Sequence, residues 1–413
     1  MRQPTAVWCF NGAVPGTELR VPQGAAVRIV VENQLAEPTT VHWHGVRVPN
    51  AMDGVPDVTQ MPIQPGQSFV YEFAPPDAGT FWYHPHQRSF EQVARGLAGA
   101  LIVEEAAPPR VDRDITWVLQ DWRLLNDGAI SGDFGNPMDT AMAGRIGNTV
   151  TINGRIPDAV SVRTGERIRL RLINAASARI FALEFSGHRP IMIALDGQPI
   201  APHAPEGGRI VLGPAMRADL VLDLIGEPQQ RYPILDTFYR GLEYRLADLV
   251  YAAEPLRSNG VDASIHLTPN ALAEPDLGSA TRHEIAFAGG MMGGGDMMRG
   301  MSDARHVWTV NGASAHGHLN APLLVLTRNK AYLLSLVNDT AWHHPMHLHG
   351  HSFRVLSRNG VPTQHREWRD TVLLAPRERA EIAFVADNPG DWMFHCHILD
   401  HQEGGMMGTI RVT

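Results

Sequence analysis

NGAVPGTELRVPQGAAVRIVVEN, at residues 11–33, returns twice in altered form, as NGRIPDAVSVRTGERIRLRLIN (153–174) and NGASAHGHLNAPLLVLTRNKAYLLSLVN (311–338). Each copy reads as a turn, a strand, a turn containing Gly or Asn, and a second strand with alternating apolar residues. Copies roughly 150 residues apart predict three β-sandwich domains, since solenoid repeats recur at about 20–50 residues. Frequent Gly (39) and Pro (30), with short Val/Ile/Thr runs, fit the same all-β class. Boundaries fall in AAPPR (106–110) and AAEPLRSNG (252–260), giving domains 1–108, 109–258 and 259–413. The stretch 254–306, with GGMMGGGDMMRGM at 289–301, reads as a long Gly- and Met-rich connection.

Composition removes several classes of function. The net charge is −8 and there is no Lys/Arg-rich run, which argues against nucleic acid as a partner. No apolar run is long enough to span a bilayer. MRQPTAVWCFNG at the N-terminus lacks the charged-then-apolar pattern of a secretory leader. Two cysteines, Cys9 and Cys396, do not make a disulfide framework. The count that stands out is histidine, at 20.

The histidines follow the repeats. Nine residues after Asn33 comes His42-Trp43-His44, and nine after Asn338 comes His347-Leu348-His349. Nine after Asn174 comes Leu183-Glu184-Phe185, with no histidine. A second echo closes the outer domains. GTFWYHPH (79–86) matches GDWMFHCH (390–397), each leading through a Gly-rich connection into a last strand, GALIV (99–103) or GTIRV (408–412). Side chains two apart on a strand share a face, so each His-x-His pair points one way. If the outer domains pack together, the pairs 42/44, 84/86, 347/349 and 395/397 converge as eight imidazoles, the commonest metal-ligand type. A lone pair of this kind is ordinarily surface or core. Four pairs at repeat-matched positions, absent from the middle domain, are not.

Cys396 sits between His395 and His397. With His344, His401 and a weak thioether from Met406 it would form the His₂Cys ligand set of blue copper. Met407 is the rival axial ligand, and a disulfide to Cys9 is the competing reading of Cys396. The peptide joining Cys396 to its two neighbours would be a short covalent wire between a single copper and a cluster.

HWHG (42–45), WYHPH (82–86), HPMHLHG (344–350) and HCHILDHQEGGM (395–406) resemble the four copper motifs of three-domain multicopper oxidases, over essentially the whole chain. Bacterial laccases and periplasmic cuprous oxidases look nearest. The resemblance implies three cupredoxin-like Greek-key sandwiches and four copper ions. His344, Cys396, His401 and Met406 would hold type 1 copper. His42 and His347 would hold type 2. His44, His84 and His397 would hold one type 3 copper, and His86, His349 and His395 the other. The implied activity takes single electrons from phenolic or aromatic amine donors and reduces O₂ to water. It further implies a periplasmic or secreted protein whose leader has been removed. Both cluster-forming domains lie in one chain, so a monomer should suffice.

Asp53, in HGVRVPNAMDG, matches the family's proton-relay aspartate, against a plain Asp-Gly turn. A second relay acid in close relatives falls here on Gln402. Glu403 or Asp400 would have to replace it, unless Asp400, or Asp370 in REWRDTVLL, instead orients a ligating histidine. A Cu(I) donor is the alternative, through a soft patch of Met291, Met292, Met297, Met298 and Met301 with Asp296, against a plain linker. Cuprous relatives carry an acid where Thr340 stands, one residue beyond Asp339. Trp342 and His343 either line the donor site or pack. A copper nitrite reductase would not need eight cluster histidines. A copper carrier would not need the Cys396 wire.

Overall fold

The computed structural model describes residues 4–258, 264–291, 307–315 and 321–413. The three Asn-Gly pairs that open the repeats form one and the same turn. Asn11, Asn153 and Asn311 each have φ of 51°, followed by a glycine at 73°, 73° and 77°. Positive φ at both central residues is the type I′ geometry that Asn-Gly favours. Each turn closes with a bridge: Phe10 to Ala13, Ile152 to Arg155, and Val310 to Ala313.

The asparagines that end the repeats act alike too. The buried amide of Asn33 donates to the carbonyls of Glu37 and Ile63, and its Oδ1 accepts the Leu35 N–H. Asn174 repeats this with Arg179, Leu212 and Ala176. Asn338 repeats it with Trp342, Ala375 and Thr340. A buried amide with its donors and acceptor matched fixes the departing chain. The residue nine positions on therefore enters each domain at an equivalent place.

Among the described residues, strands pair into six sheets. In the first domain, Gly16–Pro22, Gly99–Glu104, Gly79–His84 and His42–His44 form one sheet, facing the pair Val27–Glu32 and Ser68–Phe73. The middle domain sets a six-stranded sheet, including Arg113–Trp122, Arg167–Asn174 and Arg217–Asp223, against a five-stranded one. The third domain sets Thr281–Gly289, Ala331–Asn338, Arg379–Val385 and neighbours against a sheet holding His344–Leu348, Gly390–Cys396 and Met407–Val412. In each domain an early strand runs parallel to the last: Gly16–Pro22 with Gly99–Glu104, Ala159–Val162 with Tyr244–Tyr251, and Leu324–Leu326 with Met407–Val412. Such pairing needs crossovers between sheets, the mark of Greek-key sandwiches. Apolar faces close inward into one main core per domain. Among the described residues no helix is long and apolar enough to cross a membrane.

Buried charge joins the first two domains. Arg169 and Arg171 reach Asp219 at 2.6 and 3.3 Å, and Asp219 accepts the Thr80 hydroxyl at 2.6 Å. Glu105 shares Nη2 of Arg169 with Asp219, also at 2.6 Å. Thr80 lies on the strand that ends at His84, so this network anchors a site-bearing strand. Removing one member leaves buried charge uncompensated. Asp219→Ala is expected to lower stability by about 3–5 kcal/mol, read from the urea midpoint. A change under about 1 kcal/mol would mean that the network is solvated.

Candidate metal centre

Strand register builds the centre. His42 lies opposite His84 across one antiparallel pair, and His347 lies opposite His395 across another. A slip of one residue would turn every one of these rings away. Both His-x-His strands come from the two outer domains, and their rings meet: His42 stacks on His349 at 3.9 Å between centroids, and His44 on His347 at 3.7 Å. Ligand atoms of His42, His347 and His349 lie within 4.8 Å of one another, as do those of His42, His44 and His84, and of His86, His349 and His395. His397 joins through His84 Nε2 at 3.4 Å. All eight rings are buried.

The hydrogen bonds reveal which nitrogens carry protons. His349 Nδ1 donates to Asp53 Oδ2 (2.9 Å) and His395 Nδ1 donates to the Cys396 carbonyl (2.9 Å). Their Nε2 atoms, then bare, face each other at 3.1 Å. Two lone pairs at that distance repel unless a cation lies between them. His42 and His347 donate Nδ1 to the carbonyls of Asp53 (2.7 Å) and Asp370 (2.9 Å), leaving both Nε2 atoms buried without a partner. His86 Nε2 and His44 Nδ1 are likewise unpartnered among the described residues, and of His397 it is the outer Nδ1 that lacks a partner. Inward lone pairs and outward anchored N–H groups are what a buried set of metal ligands requires.

Cys396 faces the other way on its strand. Its thiol is buried in the third domain's core, beside His344 Nδ1 (3.5 Å) and His401 Nδ1 (3.7 Å). The two Nδ1 atoms are 3.1 Å apart. His401 Nε2 donates to the Met142 carbonyl (2.8 Å), and His344 Nε2 to Thr340 Oγ1 (2.8 Å), whose own proton can go to Asn338 Oδ1 (2.7 Å). Here again two lone pairs meet, now with a thiol. Met406 is fully buried in the same core and its carbonyl accepts the Cys396 N–H, whereas Met407 is half-exposed. Trp308 packs on both rings, at 4.4 Å from His401 and 5.0 Å from His344. Cys9 is exposed and Cys396 buried, and both are free, so the disulfide reading is closed.

Asp53 has no exposed surface. Its carboxylate touches His349 and lies 3.2 Å from His42 Nδ1. Gly54 follows with φ of +82°, where a Cβ would fall 1.9 Å from the Val41 carbonyl oxygen, so only glycine lets Asp53 come this close. Glu403 is half-exposed at the end of the helix Leu399–Glu403. Asp400 is buried and accepts the Arg145 N–H at 2.8 Å, tying that helix to the middle domain. Asp370 is the carboxylate that orients ligand-type rings. Its Oδ1 lies 3.3 Å from His44 Nε2 and 3.4 Å from His347 Nδ1. Asp339 points outward to Arg377. Of the methionine patch, Met291 is described, and Met292, Met297, Met298, Met301 and Asp296 lie outside the described residues. Met291 donates its N–H to the Ala141 carbonyl and accepts from Trp342 Nε1.

Sequence reading missed the middle domain's part. Arg217 grips Asp370 with two bonds of 2.8 and 2.6 Å, and its own backbone is held by Asp196 at 2.9 Å. Gly45, after the first His-x-His, clears their path: a Cβ there would fall 2.3 Å from Arg217 Nη2. No local motif announces Arg217. Its one sequence signal is that it opens a strand, RADLVLD (217–223), with charges at Arg217, Asp219 and Asp223.

Burial depresses nine of the ten imidazole pKa values, reinforced by neighbouring rings in all but His401, which burial alone takes down to about 3. Burial pushes the Cys396 thiol up, so a metal would have to displace its proton. Unfolded histidines protonate near pH 6.5, so between about 3 and 6.5 the unfolded chain binds more protons. Asp196 and Asp400, each raised by burial to about 6, and Asp121, raised by burial as well, oppose this over part of that range, three groups against nine. The copper-free protein is therefore expected to keep its stability above about pH 6.5 and to lose it steadily below. A urea midpoint unchanged from pH 7.5 to 5 would contradict this.

Family profiles described as multicopper oxidase match residues 1–108, 113–260 and 295–413. Multicopper oxidase MmcO of Mycobacterium tuberculosis is 30% identical over 96% of this chain and 81% of its own length. Laccase-1 of Botryotinia fuckeliana is 29% identical over 96% of this chain and 77% of its own length. The crystal structure of a multi-copper oxidase from Pseudomonas thermotolerans superposes with a TM-score of 0.88 at 37% identity, covering 98% of this chain and 93% of that one.

Proposed function

The chain belongs to the multicopper oxidase family, and we propose that within it the protein takes single electrons from phenolic or aromatic amine donors and reduces O₂ to water. As a family member it is a copper-dependent oxidoreductase acting with O₂ and a reducing substrate. The finer reading rests on one observation: Cys396 points its thiol at His344 and His401, while His395 and His397 on either side enter the eight-imidazole group.

In this reading His344, Cys396, His401 and Met406 hold the mononuclear copper, and His42 with His347 the type 2 ion. His44, His84 and His397 hold one type 3 ion, and His86, His349 and His395 the other. Four bound coppers would supply storage for four electrons, so that O₂ is reduced without release of partly reduced oxygen. The chain's own residues do the rest. The peptide on either side of Cys396 gives electrons a covalent route between the two groups. Asp370, held by Arg217, keeps His44 and His347 turned inward. Asp53, against His349 and His42, can hold and pass protons to the oxygen side. Glu403, nearer solvent, is our candidate for the second proton route. Since one chain supplies every ligand, we propose a working monomer, outside the cytosol.

A Cu(I) donor is the second reading, favoured by Met291, whose backbone is held by Ala141 and Trp342 next to the segment covering His401. O₂ uptake with Cu(I) and with a phenol as sole donor separates the two.

Two variants test the main reading. Cys396→Ser is expected to remove the visible thiolate–copper absorption and to lower copper content from four per chain to three. Asp53→Asn is expected to keep that absorption while turnover falls about 10–100-fold. A wild type binding one or two coppers per chain, with no visible absorption, would sink the proposal.

A further inference from the structure

The middle domain, which offers no ligand-type histidine, carries a cavity of its own. It lies where Thr149–Ile152, an edge strand of one sheet, meets Tyr244–Tyr251 of the other, and it holds about 490 Å³. Small-molecule sites fall in the range of about 300–1,000 Å³. Its body is apolar, lined by Ile146, Val150, Leu242 and Leu246, with Ile156 at the rim. Ile156 and Leu242 are 70% and 74% exposed. Two large aliphatic side chains held in water on one rim gain when an apolar body covers them.

The spare polar capacity of the rim consists of donors. Arg179 gives Nε to Asp121 (3.2 Å) and Nη2 to the Gly147 carbonyl (2.7 Å), and Nη1 takes no protein acceptor. Arg245 gives Nη1 to Asp248 (2.8 Å) and keeps Nε and Nη2. The Tyr239 oxygen accepts the Ile180 N–H (3.2 Å), so its own hydrogen is left to donate. The residues lining the cavity include two arginines and no carboxylate, in a chain with 43 acids against 35 lysines and arginines. Arg179 is also set in place beforehand. It is held on two sides and lies over the Tyr239 ring at 5.6 Å, while Ile146 backs the wall against the third domain's core. A guanidinium already fixed loses little freedom when an anion arrives. The larger cleft between the middle and third domains, about 870 Å³, has arginines too, but Glu206, Glu367 and Glu378 stand in its wall. An anion is better matched by the cavity without acids.

We propose that this cavity binds a small carboxylate with an apolar body: the carboxylate accepts from Arg179 Nη1 and Tyr239, with Arg245 at the mouth, and the body covers Ile156 and Leu242. A carboxylate brings acceptors and no donors, which matches what the rim has spare. Such a ligand has no phenol or amine to give up an electron, so the site is separate from the oxidase reaction and does not depend on which donor the protein uses.

The test titrates the copper-loaded protein with 2-naphthoate by calorimetry. One site per chain is expected, with a Kd below about 1 mM. The uncharged 2-naphthalenemethanol, and acetate without the apolar body, should each bind at least about tenfold more weakly. Ile156→Glu sets a like charge on an exposed rim position outside the core and should weaken naphthoate about tenfold or more. Val361→Glu, at a position 67% exposed on the lip of the larger cleft, should leave naphthoate binding unaltered. An unchanged visible absorption and urea midpoint show that both variants are folded. The site is overturned if the wild type takes up no naphthoate at millimolar concentration, if the alcohol or acetate binds as well as naphthoate, or if Val361→Glu abolishes binding and Ile156→Glu does not.

Discussion

Unprotonated nitrogens face one another across the centre of this protein, at 3.1 Å between His349 and His395 and again at 3.1 Å between His344 and His401. Nothing in a protein's ordinary repertoire stabilises that arrangement without a cation. Each outer nitrogen is committed to a carbonyl, hydroxyl or carboxylate, so the rings cannot rotate to relieve the repulsion. Burial forbids the other escape, protonation. The surrounding structure holds in place a geometry that only bound metal makes favourable, and the folded chain is pre-organised for it.

The domain without ligand-type histidines takes part in that holding. Arg217 fixes Asp370, Asp370 fixes His44 and His347, and Asp196 fixes Arg217. Arg217 also donates to the Thr80 carbonyl on the strand ending in His84. One guanidinium therefore ties together elements of all three domains at the point where the outer two meet. Buried ion pairs are poor sources of net stability, but their directional bonds specify one docking geometry over others. Losing a partner here would misplace ligands as well as weaken the fold.

Covering both outer imidazole edges of the mononuclear group has a functional consequence. A site open to solvent would exchange electrons with any reductant that collided with it. With Met142 and Thr340 in those positions, neither ring edge meets solvent.

Much of this was legible in the chain itself. The Asn-Gly echoes, the nine-residue spacing from Asn33 and Asn338 to a His-x-His, and the Cys396 motif depend on local rules: turn chemistry, strand periodicity and ligand softness. These operate within a few residues, so sequence alone determined the all-β class, the family likeness, the convergence of eight rings and the separate Cys396 group. The roles of Arg217, Asp196, Trp308 and Met142 were not legible, nor was the division of labour between Asp370 and Asp400. Each acts on a partner distant in the chain, 153 residues away for Arg217 and Asp370 and 259 for Met142 and His401. No periodicity or motif encodes which surfaces of two domains will meet. That was decided by packing, because hydrogen-bond direction and the exclusion of water exist only once the three sandwiches are docked.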